Sequence, residues 1–129
     1  MHDPIAPEIE RLASVVVDSS MSVHRALGPG LLESVYEICL CHELATRGVS
    51  FERQVEIPIK YRGIRLEAGL RVDLIVDSEL IVELKAVAEH STLFEAQLLS
   101  YLKLTGKRLG LLINFHVPLL KDGVKRIIL

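Results

Sequence analysis

Long apolar runs are missing from this sequence. No stretch approaches the ~20 apolar residues that a membrane-spanning helix needs, and no basic-then-apolar leader opens the chain. The expected compartment is therefore the cytoplasm, with no membrane partner. Charge of one sign is missing too. The formal net charge is −2, so any nucleic-acid partner must meet a local patch rather than a global basic field. Cysteine is scarce: Cys39 and Cys41 are the only two. They are expected on a helix, where side chains two apart diverge, so they read as reduced, buried thiols rather than a disulfide. His2, His42, His90 and His116 show no ligand spacing, which argues against a histidine-based zinc site. No internal repeat, low-complexity segment or linker interrupts the chain. Its 129 residues are read as one domain, 1–129. A chain of this size buries roughly two-thirds of its unfolded surface and needs no covalent staple.

What is present begins with two helices. Pro4 and Pro7 mark the first start, and Ile9, Leu12, Val16, Val23 and Leu27 recur at helical spacing over Glu8–Leu27. Gly28-Pro29-Gly30 ends that element. The second helix is expected over Leu31–Arg47, with Gly48 just beyond it. From Phe51 the period changes to two: Val55, Ile57 and Ile59 alternate with polar residues. Tyr61–Ile64 reads as a turn, and Ile64–Leu66 starts a returning strand. Arg71–Val76 and Leu80–Val87 are expected as two further strands. Ser91 or Thr92 can cap a third helix, Thr92-x-x-Glu95 fitting a capping box, and that helix stops at Gly106. Leu109–Phe115 reads as a strand buried on both faces, and Val124–Leu129 as a last short strand. The order predicts a mixed sheet with helices packed against it.

The chemistry concentrates in Arg71–Lys85. Glu83 and Lys85 lie two apart on a strand and share a face, an expensive placement in an apolar strand unless they pair or bind something. If Asp77-Ser78-Glu79 is a three-residue loop, Val76 faces Leu80 and Asp73 falls opposite Glu83, with Cβ atoms about 5 Å apart. A two-residue loop would separate the carboxylates. Opposed carboxylates make sense around a cation, and hard oxygen ligands suit Mg²⁺ or Mn²⁺. Lys85 could orient a water or stabilise charge on a phosphate. The plain alternative is a set of salt-bridging residues on a solvated strand face.

Asp73, nine intervening residues and then Glu83-x-Lys85 resemble the signature of the PD-(D/E)XK nuclease superfamily. Gly30-Leu-Leu-Glu33-Ser-Val-Tyr36 is similar to the motif that names the GxxExxY proteins, a branch of it. His24-Arg25-x-Leu27-Gly28-Pro29-Gly30, Glu95-Ala-Gln97-Leu-Leu-Ser-Tyr101 and Leu112-Ile-Asn114-Phe115 extend the match to nearly the whole chain from about Val17. Val72 stands where the superfamily often has Pro.

The resemblance implies a three-layer α/β restriction-endonuclease-like fold, a mixed sheet flanked by helices, that hydrolyses phosphodiester bonds in DNA or RNA. It implies a metal held by Asp73 and Glu83, with Glu33 and the Leu84 backbone carbonyl. Lys85 would position the attacking water. Gln97 and Tyr101, one helical turn apart, would orient the catalytic groups or the strand. Tyr36, one turn after Glu33, and His24 are further candidates, with core packing as their plain alternative. Lys103, Lys107, Arg108, Lys121, Lys125 and Arg126 could track a phosphate backbone or simply solubilise the surface. Two other functions fit the same fold. One is a nucleic-acid- or protein-binding module that cleaves poorly. The other is a self-associating homodimer with Leu109–Phe115 or the final strand at its interface.

Overall fold

The computed structural model describes residues 3–129. Its elements are α1 (Pro7–Leu27), α2 (Glu33–Thr46), β1 (Phe51–Tyr61), β2 (Ile64–Val76), β3 (Leu80–Lys85), α3 (Thr92–Thr105), β4 (Leu109–Asn114), a 3₁₀ turn (Leu120–Gly123) and β5 (Val124–Ile128). α1 opens on Pro7, whose missing N–H would be unpaired there anyway, with Glu8 and Glu10 at the positive end of the helix dipole. It ends where the Gly28 N–H bonds the His24 carbonyl at 2.7 Å and Gly28 turns to φ +70°. Ala13, Val16 and Val23 form its buried stripe, whereas Leu27, expected on it, is exposed. α2 begins two residues later than expected because Leu31 and Leu32 remain in the exposed loop before it. The two cysteines are free, and burial pushes the Cys41 thiol up to about 11, so it stays an inert core residue.

The five strands lie in sequence order, β1-β2-β3-β4-β5. All neighbours are antiparallel except β3 and β4, which run parallel. α3 is the crossover a parallel pair requires. Ile64–Leu66 and Arg71–Val76, expected as separate strands, belong to one continuous β2 of 13 residues. A register shift opposite Pro58 absorbs the extra residues: Ile57 pairs Leu70, but Ile59 pairs Leu66. Gly69 belongs there, since a Cβ on it would lie 2.8 Å from Ile59 Cδ1. The cap of α3 differs from the expected box. Ser91 accepts the Leu93 N–H at 3.2 Å, while Glu95 turns to His90 and Lys125 instead.

Two cores hold the layers together. α1 and α2 cover one face of the sheet through Val16, Val23, Tyr36, Leu40 and Leu44 against Leu74, Val82, Leu84, Leu111 and Phe115. α3 covers the other through Leu98, Tyr101 and Leu102 against Val72, Ile75, Ile81 and Leu112. β4 is paired on both edges and buried on both faces. Its use as a self-association surface is excluded on that ground. β5 is left as an edge strand.

One irregularity positions the site. Phe51, Leu74 and Val76 pack under α1 and α2, whereas Val55, Ile57 and Val72 pack under α3. Regular alternation would keep Val72 on the same face as Leu74. Both strands therefore exchange faces between the Arg53–Leu74 and Val55–Val72 pairs. Gln54 and Asp73 lie at that step, and Gln54 has φ +49°.

Candidate metal centre at the fork of β2 and β3

The register of β2 on β3 is the one a three-residue loop dictates: Val76 pairs Leu80, Ile75 pairs Ile81 and Leu74 pairs Val82. The backbone ladder stops there. The next rung is made by side chains. The Asp73 N–H donates to Glu83 Oε1 at 2.8 Å, and the Leu84 N–H donates to Asp73 Oδ2 at 2.8 Å. Each carboxylate thus reaches across the gap and holds the opposite strand, so the strands fork with both acids in the fork.

Glu83 is only 5% exposed. Burial pushes its carboxyl up to about 8, the Asp73 charge adds to that, and the Asp73 N–H and Lys85 oppose it. Asp73 is also raised, first by burial and then by the Glu37 charge, against the Leu84 N–H and Gln54. Glu33, the first residue of α2, has much exposed surface, yet its carboxyl is raised by partial desolvation and by Asp73. Its charge is also felt at Glu83. On the opposite layer, the Tyr101 hydroxyl is raised by burial and by Glu83 and Asp73, with Gln97 pulling the other way. Glu33 on α2 and Tyr101 on α3 thus share the electrostatic environment of the fork, and the exposed Gln97 meets it only through Tyr101.

A family model of the PD-(D/E)XK nuclease superfamily matches residues 10–127, from within α1 to within β5. The chain belongs to that superfamily. No curated protein and no solved structure matches it. Lys85, the third residue of the sequence's candidate Asp73, Glu83 and Lys85 set, ends β3. Its Nζ lies 4.6 Å from the centroid of the Phe94 ring, and among the described residues it forms no ion pair. The salt-bridged, solvated face is therefore not what these three residues form. Nor, among the described residues, do three or more His, Cys, Asp or Glu side chains gather tightly enough to hold a metal as they stand.

Tyr36 and His24 lie apart from the fork. The Tyr36 ring stacks on Phe115 at 4.4 Å and 9°. Its hydroxyl donates to the Gly28 carbonyl at 2.6 Å and accepts the Leu31 N–H at 3.1 Å. The loop that delivers Glu33 is thereby pinned to the core. His24 donates from Nε2 to the Val117 carbonyl at 2.8 Å and ties α1 to the segment after β4. Tyr36→Phe should lower stability by about 1–2 kcal/mol through the two lost bonds. Calorimetry would record this as a lower melting temperature, and an unchanged Tm would remove the pinning role.

The late basic residues are mostly occupied. Lys107 donates to the Ser78 carbonyl, Arg108 to the Leu129 and Asp3 carbonyls, and Arg126 pairs with Glu10. Lys125 stands 3.8 Å from Glu95. These bonds staple the sheet edge and termini, leaving Lys103 and Lys121 as exposed cations of the set that form no ion pair among the described residues. Asn114, within the last motif, bonds both the N–H and the carbonyl of Val87 and ties the β3 exit to β4.

Three residues next to the site were missed in the sequence. Glu37, one turn after Glu33, is buried and accepts two bonds from Arg53 at 3.1 and 2.8 Å. Gln54 donates to Glu37 at 2.8 Å and to Asp73 at 3.3 Å. The available signal was the helical spacing of Glu33 and Glu37, which puts both on one face.

Proposed function

We propose that this protein is a metal-dependent nuclease of the GxxExxY branch, hydrolysing phosphodiester bonds of DNA or RNA with Mg²⁺ or Mn²⁺. The observation that carries the reading is the fork. Two carboxylates are held by opposing backbone N–H groups, and one is buried with its carboxyl at about 8. Such a site is costly without a cation, and oxygen donors of this kind suit a hard divalent ion. Among the described residues, Glu83 Oε2 has no hydrogen-bond donor, and Asp73 Oδ1 has only the long bond from Gln54. Both oxygens are available for coordination. Glu33 and the Leu84 carbonyl would complete the ligand set.

A divalent ion bound there would polarise the phosphate and acidify a water. Lys85, on the same strand two residues past Glu83, orients that water and offsets charge building on the phosphate. Tyr101 and Gln97 close the α3 side and direct the acids. Tyr36 and His24 act at a distance by fixing the segments that frame α2.

The test is cleavage of labelled single-stranded, double-stranded and structured DNA and RNA by purified protein, with Mn²⁺ against a chelator. Metal-dependent cleavage of at least one substrate is expected, and no cleavage of any would reject the reading. One observation favours a second reading, a binding module without cleavage: among the described residues no set of three ligands is preassembled. Retention of a substrate in the same assay without scission would select it.

A further inference from the structure

The feature that the nuclease chemistry leaves unused is the link from Arg53 through Glu37 and Gln54 to Asp73. Glu37 is 5% exposed, a nearly buried carboxylate on α2 one turn after the proposed ligand Glu33. Arg53 neutralises it with two bonds to Oε2. Its other oxygen, Oε1, accepts the Gln54 amide, and the same amide nitrogen donates to Asp73 Oδ1. Both partners of that nitrogen are acceptors, so the amide orientation is fixed by chemistry. A neutral donor thus lies between two carboxylates that would otherwise repel each other.

The backbone is distorted to put it there. Gln54 has φ +49° within β1, a region that costs free energy for a residue with a Cβ. At this residue the strand exchanges faces: Arg53 reaches Glu37 on the α2 side and Val55 packs on the α3 side. Without the left-handed step, neighbours on β1 would alternate regularly, and Arg53 and Val55 would share a face. Strain of this kind persists where the surroundings enforce it and where it holds a functional group in place.

We propose that Gln54, anchored by Glu37, is a positioning residue that fixes the Asp73 carboxylate for the metal. Oδ2 is fixed by the Leu84 N–H, and Oδ1 takes its direction from Gln54. The inference rests on the metal reading of the fork. It adds that the ligand's orientation is set from β1 and α2, outside the three-residue signature. Supporting groups of this type typically contribute 10–100-fold in metal affinity.

The experiment compares wild type, Gln54→Gly and Glu37→Gln by Mn²⁺ titration calorimetry and by thermal melting of the metal-free proteins. Gln54→Gly removes the amide and relieves the left-handed backbone together. It should weaken Mn²⁺ binding about tenfold or more while the metal-free protein melts at or above the wild-type temperature. Glu37→Gln keeps a hydrogen-bonding side chain of the same length and should weaken Mn²⁺ binding less than Gln54→Gly. In the metal-free protein, the Gln54 side-chain amide protons should be slow to exchange in NMR spectra and become fast in Glu37→Ala. If wild type binds Mn²⁺ and Gln54→Gly binds it equally well, the positioning role is rejected and the metal site stands. A lower melting temperature with unchanged affinity assigns Gln54 to structure alone. Failure of the wild type to bind Mn²⁺ rejects the metal reading, and this inference falls with it.

Discussion

Lys85→Ala is expected to reduce Mn²⁺-dependent phosphodiester cleavage by about 10²–10³-fold, the usual cost of removing a group that stabilises developing charge. The fold should barely notice. The ammonium forms no ion pair among the described residues, and its one described interaction is with the face of Phe94. A half-exposed cation–π contact is worth about 0.5–1 kcal/mol, so the melting temperature should fall by only a few degrees. That asymmetry separates chemistry from architecture, because the other members of the site also hold strands together. Removing Asp73 or Glu83 deletes a rung of the sheet as well as a ligand. Single-turnover cleavage of an end-labelled oligonucleotide, with Mn²⁺ binding measured in parallel, gives the readout. Binding should persist in Lys85→Ala while the rate collapses. Cleavage at the wild-type rate would remove Lys85 from the mechanism.

The placement of Asp73 opposite Glu83 was legible because two local signals agreed. The apolar runs Leu74–Val76 and Leu80–Val82 marked the strands, and a three-residue loop set their offset. Asp77 and Ser78, at φ +49° and +59°, carry the loop's left-handed backbone, which short polar side chains tolerate better than most. The α/β class, the flanking helices and the buried β4 followed from period and length in the same way.

What escaped the sequence is nonlocal. Regular alternation across Gln54 predicts one face for Arg53 and Val55, and nothing in the residues nearby announces the left-handed step. Glu37 went unnoticed because the group that neutralises it, Arg53, stands sixteen positions away. The single long β2 was hidden by Gly69, which punctuates a sequence but here makes room for Ile59. The late lysines and arginines suggested a phosphate track, and only tertiary contacts reveal that most are bound to carbonyls and carboxylates.

Glu83→Gln is expected to make the metal-free protein more stable and to abolish tight metal binding. The amide oxygen of Gln can still accept the Asp73 N–H, so the rung survives while the charge goes. Wild-type Glu83 has a carboxyl at about 8 in the folded chain against 4.5 for the free side chain. The folded state therefore holds a proton that the unfolded chain releases. Stability from this group is fully present below pH 4.5, declines as pH rises, and is lost once pH passes about 8. One pKa unit corresponds to about 1.4 kcal/mol, so the loss amounts to a few kcal/mol. The Gln variant lacks that slope. Its melting temperature should match wild type near pH 5 and exceed it by roughly 10 °C near pH 9, at a few degrees per kcal/mol. Mn²⁺ reverses the order. Coordination needs the carboxylate, so binding below pH 8 must expel a proton, and the apparent affinity of wild type should fall about tenfold for each pH unit beneath that point. Adding Mn²⁺ at pH 8 should therefore raise the wild-type melting temperature and leave Glu83→Gln where it was. A stability difference that stayed constant from pH 5 to 9 would mean that Glu83 is ionised throughout. The fork would then be an ordinary carboxylate cap on the sheet rather than a site that pays for its buried charge by binding a cation.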